Sequence, residues 1–381
     1  MTPWTRIVGA AGIAAGVVAA ATVGGVTAQR RAVARIRSDV RADGGPAFDA
    51  LAADRSYSVP ADHGAVLHVE EVGPARAPLT VIFAHGWTLR SGAWHFQRLG
   101  LAGPGFGRQP ERGGFPAARL VFYDQRGHGR SSRGAGNQVS MDLLAADLAA
   151  VLAAAAPSGP VVLIGHSMGG MALITLAGRR PRLFADRVVG VGLISTSAHQ
   201  VPVAALGRAL IRLPDPLLRT VSGIATRFPE LVEWSRAGAH DAAWLLTRLF
   251  GFARRDVPVE LVDYLDEMIT ATPVGVIADF APMLMRLAAG PALPVLAELP
   301  VAIVCGDADR LTPPARSRYM ADVLPGARLT VIPDAGHMAI LEAPEEVNQA
   351  LRVLLEDAAT RAGIGRTGSG TAAAPARRPA R

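Results

Sequence analysis

The chain has 381 residues, half of them hydrophobic, and a single cysteine, Cys305. That length builds one large α/β domain or two smaller ones, and a lone cysteine excludes an internal disulfide framework. The net charge of +7 comes from arginine alone, without a lysine, which excludes a lysine-dependent phosphate loop; the excess sits at the ends, six Arg against two Asp over residues 1–43 and five Arg without an acid in the last 24 residues. A nucleic-acid interface needs basic side chains clustered on a folded face, so no nucleic-acid partner is expected.

The first element in chain order is Ile7–Ala28, 22 residues without a charge, interrupted by five glycines. A membrane span needs about 20 apolar residues. Arg6 precedes the segment, and Arg30, Arg31, Arg35 and Arg37 follow it. By the positive-inside rule this predicts a single-span anchor with the rest of the chain on the cytoplasmic side. Two other readings stay open: a signal peptide cleaved after Val26-Thr27-Ala28, with export of the chain, or an Ala-rich helix packed on the domain. Val33–Leu51 reads as an amphipathic helical connector, reaching residue 55.

Tyr57–Pro60 and Val66–Val72, around Asp62-His63-Gly64, predict an antiparallel hairpin that opens a sheet. Further strands are predicted at Leu79–Ala84, Leu120–Asp124, Val161–Gly165 and Val188–Ser195, with a helix over Ser140–Ala156 capped by Ser140. Gly100–Ala118 is a long Gly/Pro-rich loop without an assigned role. About 100 residues of helical pattern, Ala198–Glu298, then interrupt the strand–helix alternation. Strands resume at Val301–Cys305 and Arg328–Ile332. Arg361–Arg381 is a basic Gly/Ala/Pro-rich tail, expected to be disordered. Its Gly363-x-Gly365-x-x-Gly368 matches a dinucleotide fingerprint in letters only, because no strand precedes it and no helix follows.

The chemistry concentrates where strands end. Val161–Ile164 runs into Gly165-His166-Ser167-Met168-Gly169-Gly170. Small residues on both sides of Ser167 allow a sharp strand-to-helix turn that presents its hydroxyl at the positive end of a helix. A serine hydroxyl is a weak nucleophile near neutral pH and needs a base, which needs an orienting acid. Val301–Cys305 is followed by Gly306-Asp307-Ala308-Asp309-Arg310-Leu311-Thr312-Pro313, and Arg328–Ile332 by Pro333-Asp334-Ala335-Gly336-His337. Both lie past a strand's carboxyl end, where open α/β sheets carry their sites.

Upstream, Leu79–Ala84 leads into His85-Gly86-Trp87, and Leu120–Tyr123 into Asp124-Gln125-Arg126-Gly127-His128-Gly129-Arg130-Ser131. These four motifs, in this order over Leu79–Met338, resemble the α/β-hydrolase family, with Gly-x-Ser-x-Gly as its nucleophile elbow. The resemblance implies a mostly parallel central sheet flanked by helices, with a helical cap (residues 198–298) inserted between the sixth and seventh strands of a core at 56–197 and 299–360. It implies Ser167 as nucleophile, His337 as base and Asp309 as acid, since the family's Gly-x-x-Asp-x-x-x-Pro spacing selects Asp309 over the fallback Asp307. It implies backbone N–H donors for the oxyanion at Trp87 and Met168, elbow glycines at Gly165 and Gly169, and no metal or cofactor. Arg126 and Asp124 read as loop braces, and His85 and His166 as packed residues.

The implied activity is that of a serine hydrolase acting on a small apolar carboxylic ester through an acyl-enzyme. Trp234, Trp244, Phe250 and Phe252 in the cap either favour an apolar acyl group or only pack the cap helices together. Perhydrolase, thioester or carbon–carbon bond hydrolysis fit the same residues. A ligand-binding protein without catalysis is the reading of another class.

Overall fold

The computed structural model describes residue 48 and residues 51–102, 118–135, 139–200, 241 and 243–365. The segment Ile7–Ala28, most of the connector, most of the Gly100–Ala118 loop, cap residues 201–240 (Trp234 among them) and the tail beyond 365 lie outside it. Among the described residues no helix is long and apolar enough to cross a membrane.

Eight strands form one sheet: β1 (Arg55–Ala61), β2 (Ala65–Val72), β3 (Leu79–Ala84), β4 (Ala118–Tyr123), β5 (Val161–His166), β6 (Val188–Ile194), β7 (Val301–Gly306) and β8 (Arg328–Ile332). Their spatial order is β1-β2-β4-β3-β5-β6-β7-β8. β1 pairs with β2 and β2 with β4 antiparallel; every later pairing is parallel. The hairpin turns where the sequence predicts it, through His63 and Gly64, both at positive φ. The parallel strands β3, β5 and β7 are buried along their whole length, as strands covered by helices on both faces must be.

Helices fill those faces. Ser140 caps Met141–Ala155 as predicted, its side chain accepting from Leu143 N at 3.1 Å. The helix Met168–Arg179 follows β5, and Pro344–Arg361 packs on the other face against β6 and β7. Two apolar clusters result, one on each side of the sheet. Parallel strands all point their carboxyl ends to one edge, and the loops after β3, β4, β5, β7 and β8 therefore converge there.

The insertion leaves the core after β6. Its described part is helical over 243–251, Val259–Ala271 and Val274–Leu284, ending in a 3-10 turn at Gly290–Leu296. Departure and return are joined by backbone pairing, with Ala289 N donating to Ala198 O at 2.9 Å beside the His199–Ala288 bridge. Within the insertion, Trp244 is buried and donates from Nε1 to Asp263 Oδ1 at 2.7 Å. Trp244 and Phe252 pack into an apolar cluster, whereas Phe250 lines the pocket described below.

The loop after β4 is held by charge. Arg126, 1% exposed, makes a two-pronged contact with Asp147: Nε to Oδ2 at 2.9 Å and Nη2 to Oδ1 at 2.6 Å. Its Nη1 donates to the carbonyl of Asp62 in the hairpin turn at 3.0 Å. Asp124 accepts from the backbone N–H groups of Ser91 and Arg130 at 2.7 and 2.8 Å. Both residues brace loops, as the sequence suggests. Breaking a buried ion pair leaves an uncompensated charge and costs about 3–5 kcal/mol. Asp147→Ala is expected to lower unfolding stability by that amount in denaturant titration, while a surface pair such as Arg328–Asp357 should cost about 1 kcal/mol or less when broken.

Candidate active site

The site is built on a backbone turn that most side chains avoid. Ser167 lies between β5 and the helix Met168–Arg179 at φ 50°, ψ −119°. For a residue with a Cβ such a conformation costs about 1–3 kcal/mol. It is fixed from several sides. Ser167 N donates to Ile194 O at 3.0 Å, and the Ser167 carbonyl accepts from Gly170 N at 3.0 Å and from Thr196 Oγ1 at 2.6 Å. Room for the turn comes from its neighbours. A Cβ on Gly165 would run into the backbone of Gly169 and Gly170, and one on Gly169 into the carbonyl of Ala84 at the end of β3.

His337 Nε2 lies 3.0 Å from Ser167 Oγ. Its other ring nitrogen, Nδ1, lies 3.1 and 3.0 Å from the two carboxylate oxygens of Asp309. The fold thus brings Ser167, Asp309 and His337 into one chain of contacts across 170 residues. Asp309 is buried and Asp307 is exposed. The Asp309 carboxylate also accepts from Leu311 N at 2.9 Å, Thr312 N at 2.8 Å and Thr312 Oγ1 at 2.8 Å. Burial pushes this carboxyl up, but the His337 imidazole and the Thr312 donors outweigh it, and its pKa lies below the ordinary carboxylate value. An ionised Asp309 favours Nδ1–H on His337 and leaves Nε2 free to accept the serine proton.

Met168 follows the serine directly. Gly86 backs onto it: a Cβ there would stand 3.2 Å from the Ser167 Cβ and 2.9 Å from His166 Nδ1. Trp87 is brought alongside. Neither the Trp87 nor the Met168 N–H has a hydrogen-bond partner among the described residues, so both remain available to an oxyanion.

Sequence reasoning missed Thr312, whose hydroxyl contacts Asp309 and stands 3.3 Å from His337 Nδ1; its place three residues after Asp309 was the available signal. It also left His166 without a task beyond packing. His166 Nε2 donates to the carbonyl of His337 at 3.0 Å and so holds the backbone of His337. No local pattern reports that contact between residues 171 apart. His85 donates from Nδ1 to Gly86 O at 2.7 Å and accepts Gln125 N on Nε2 at 2.8 Å, which ties the β3 and β4 loops together.

A cavity of about 320 Å³ opens on Ser167 and His337. Leu246, Phe250, Leu265, Ile269 and Ile277 of the insertion form much of its wall, with Trp87 and Met171 from the core. A larger cleft of about 680 Å³ shares Leu89 as a wall but does not reach the serine; its Arg90, Arg98, Arg130 and Arg133 are each paired with a carboxylate. Among the described residues no cluster of His, Cys, Asp and Glu could hold a metal ion.

Residues 81–350 match the model of the alpha/beta hydrolase family. Among solved structures, the chain is similar to a thermophilic esterase from Thermogutta terrifontis, at 28% identity and TM-score 0.59 over 80% of this chain and 99% of that one. Among curated proteins, it is 37% identical over 112 residues to a non-heme haloperoxidase of Rhodococcus erythropolis, which is 29% of this chain and 35% of that protein. It is 31% identical to the lipase LipV of Mycobacterium tuberculosis over 55% of this chain and 64% of the lipase. The chain thus spans less than two thirds of the length of either curated relative. With more than two thirds of its residues covered by the family model, the chain belongs to the alpha/beta hydrolase family.

Three buried histidines predict a pH dependence of stability. Burial pushes His85 below its ordinary value, and pushes His128 and His166 down to about 3. In the unfolded chain each titrates near 6.5. The folded state therefore binds fewer protons below that value, and the associated stability is present above about pH 6.5 and lost as pH falls toward the folded values. His128 and His166 each contribute on the order of 1 kcal/mol per pH unit. Melting temperature is expected to drop steeply between pH 6.5 and 5, and His128→Gln should flatten that drop.

Proposed function

We propose that the chain is a serine hydrolase of small apolar carboxylic esters, and that Ser167, His337 and Asp309 act as nucleophile, base and acid. The observation that carries this is the contact of His337 Nε2 with Ser167 Oγ at 3.0 Å while Asp309 occupies Nδ1. Ser167 Oγ attacks the ester carbonyl as its proton passes to His337 Nε2. The carbonyl oxygen takes the negative charge and accepts from the N–H groups of Trp87 and Met168. As the tetrahedral species collapses, His337 returns the proton to the departing alcohol. The acyl-enzyme is then attacked by water, whose proton goes to His337 and afterwards to Ser167 Oγ as the acid leaves.

Nucleophile and base act as a unit. Ser167→Ala and His337→Ala should each lower p-nitrophenyl ester turnover by several orders of magnitude without unfolding the chain. Ser167→Ala activity within about tenfold of the parent, only ~1.4 kcal/mol of barrier, would rule Ser167 out. Asp309→Asn should cost up to about 10⁴-fold through the wrong imidazole tautomer, and Asp307→Asn little; the reverse ranking would move the acid to Asp307.

The apolar wall and the cavity of about 320 Å³ support an apolar acyl group of limited length. At the roughly 30 Å³ of a liquid water per non-hydrogen atom, the cavity takes about ten such atoms. In a p-nitrophenyl series, kcat/KM is expected to peak at or below about eight acyl carbons and to be much lower for palmitate. The similarity to a haloperoxidase supports a second reading: hydrogen peroxide replacing water on the acyl-enzyme and releasing a peracid. Bromination of an organic acceptor that requires hydrogen peroxide and a carboxylic acid would distinguish it.

The placement proposed is an anchor at Ile7–Ala28 with the catalytic domain on the cytoplasmic side, supported by one Arg before the segment against four soon after it. Arginine costs roughly 2.5–3.5 kcal/mol at the bilayer centre even on translocon-based scales. Removal of residues 1–28 should release active enzyme into the soluble fraction. A mature chain starting at Gln29 outside the cell would replace this reading with secretion.

A further inference from the structure

We infer that Glu342 is a positioning residue that makes the base His337 dependent on the seating of the inserted segment. Glu342 ends a short helix, Ala339–Glu342, two residues beyond His337, and is buried. Its carboxylate is spent entirely on backbone donors. Oε1 accepts from Ala253 N at 2.8 Å and Arg254 N at 2.7 Å, both just past the helical stretch 243–251 of the insertion. Oε2 accepts from Gly336 N, the residue before His337, at 2.6 Å. No arginine forms an ion pair with it among the described residues, although Arg248 is near enough to feel its charge.

The residue after His337 is tied to the same turn, with Met338 N donating to Gly251 O at 2.8 Å. A Cβ on Gly336 would stand 2.8–2.9 Å from backbone atoms of Gly251, Phe252 and Ala253, so the two loops press together without side chains between them. Both chain neighbours of His337 are thus fastened to residues 251–254, one through Glu342 and one directly. The same insertion supplies Leu246 and Phe250 to the pocket wall. A buried carboxylate is costly unless its lone pairs are filled by donors. Here two of the three donors belong to the insertion, so the loop carrying the base is satisfied only when the insertion is in place.

This rests on the reading of His337 as base. Glu342→Gln tests it with little change of shape. The amide has one acceptor oxygen, and its NH₂ must face either Gly336 N–H or the pair at 253–254, donor against donor. Ala253→Pro removes one donor from the other side and leaves Glu342 and the His337 loop untouched. The probe is a fluorophosphonate, which reads the reactivity of Ser167 and His337 without knowledge of the natural ester, together with kcat and KM for p-nitrophenyl butyrate on the full chain. A base misplaced by a fraction of an ångström to 1 Å costs up to about 10²-fold. Glu342→Gln is expected to slow labelling and kcat by roughly 10–100-fold, with KM nearly unchanged and melting still cooperative. Ala253→Pro should act in the same direction and less strongly. A merely structural Glu342 would lower the melting temperature and the titratable fraction, but leave the labelling rate per folded site at the parent value; that result overturns the inference. Should Glu342→Gln fail to fold, Ala253→Pro decides, and labelling at the parent rate overturns the inference. A parent chain that does not label at all would instead sink the serine-hydrolase reading.

Discussion

An L-residue resists the backbone that Ser167 adopts, and the arrangement around it follows from making that backbone tolerable. Positive φ at a serine survives only where surrounding structure over-determines it. Here β6 supplies an acceptor for Ser167 N and Thr196 a donor for its carbonyl. The glycines at 165 and 169 are required by their closeness to the next helix and to the end of β3, not by unusual φ values of their own. The turn projects a hydroxyl where the parallel strands deliver their loops. Asp309 after β7 and His337 after β8 reach the serine because those strands sit beyond β6 in register.

Rigidity on the other side of the serine comes from groups with no reacting atom. Asp124 ties the loop after β4 to Ser91, Arg126 joins that loop to the hairpin turn and to Asp147, and His85 links Gly86 to Gln125. These contacts fix the path of the chain past Gly86 and Trp87, hence the direction of an N–H that has no hydrogen-bond partner among the described residues. A donor that is unpaired before the reaction needs such a frame, because only a fixed dipole stabilises the developing charge without reorganising.

The residues that meet at the serine were legible in the sequence because each is announced locally. Gly165–Gly170, Gly306–Pro313 and Asp334–His337 are short patterns next to apolar strands, and their order along the chain is itself a signal. The sheet was legible for the same reason: β-branched runs separated by helical periodicity leave few topologies. What stayed hidden is contact between distant segments. His166 on the carbonyl of His337, and Glu342 on the N–H groups of residues 253 and 254, involve backbone atoms that every residue possesses. No side-chain pattern marks which backbone group will be bound. Phe250, Trp244 and Phe252 read alike in sequence and part ways only in packing, one toward the cavity and two into the interior.

The four buried histidines around the site differ in what their rings meet. His85, His128 and His166 are buried, use backbone carbonyls as acceptors, and among the described residues have no carboxylate hydrogen-bonded to the ring. Burial therefore disfavours their charged forms, pushing His85 below its ordinary value and His128 and His166 down to about 3. A ring of that kind is a poor proton acceptor, however close it stands to the serine in sequence, as His166 does. His337 is also buried, at 6% exposure against 0% for the other three, but one ring nitrogen meets a carboxylate that its surroundings keep ionised. With Nδ1 on that carboxylate, Nε2 is left facing Ser167 Oγ, and this pair of contacts distinguishes His337 from the other three rings.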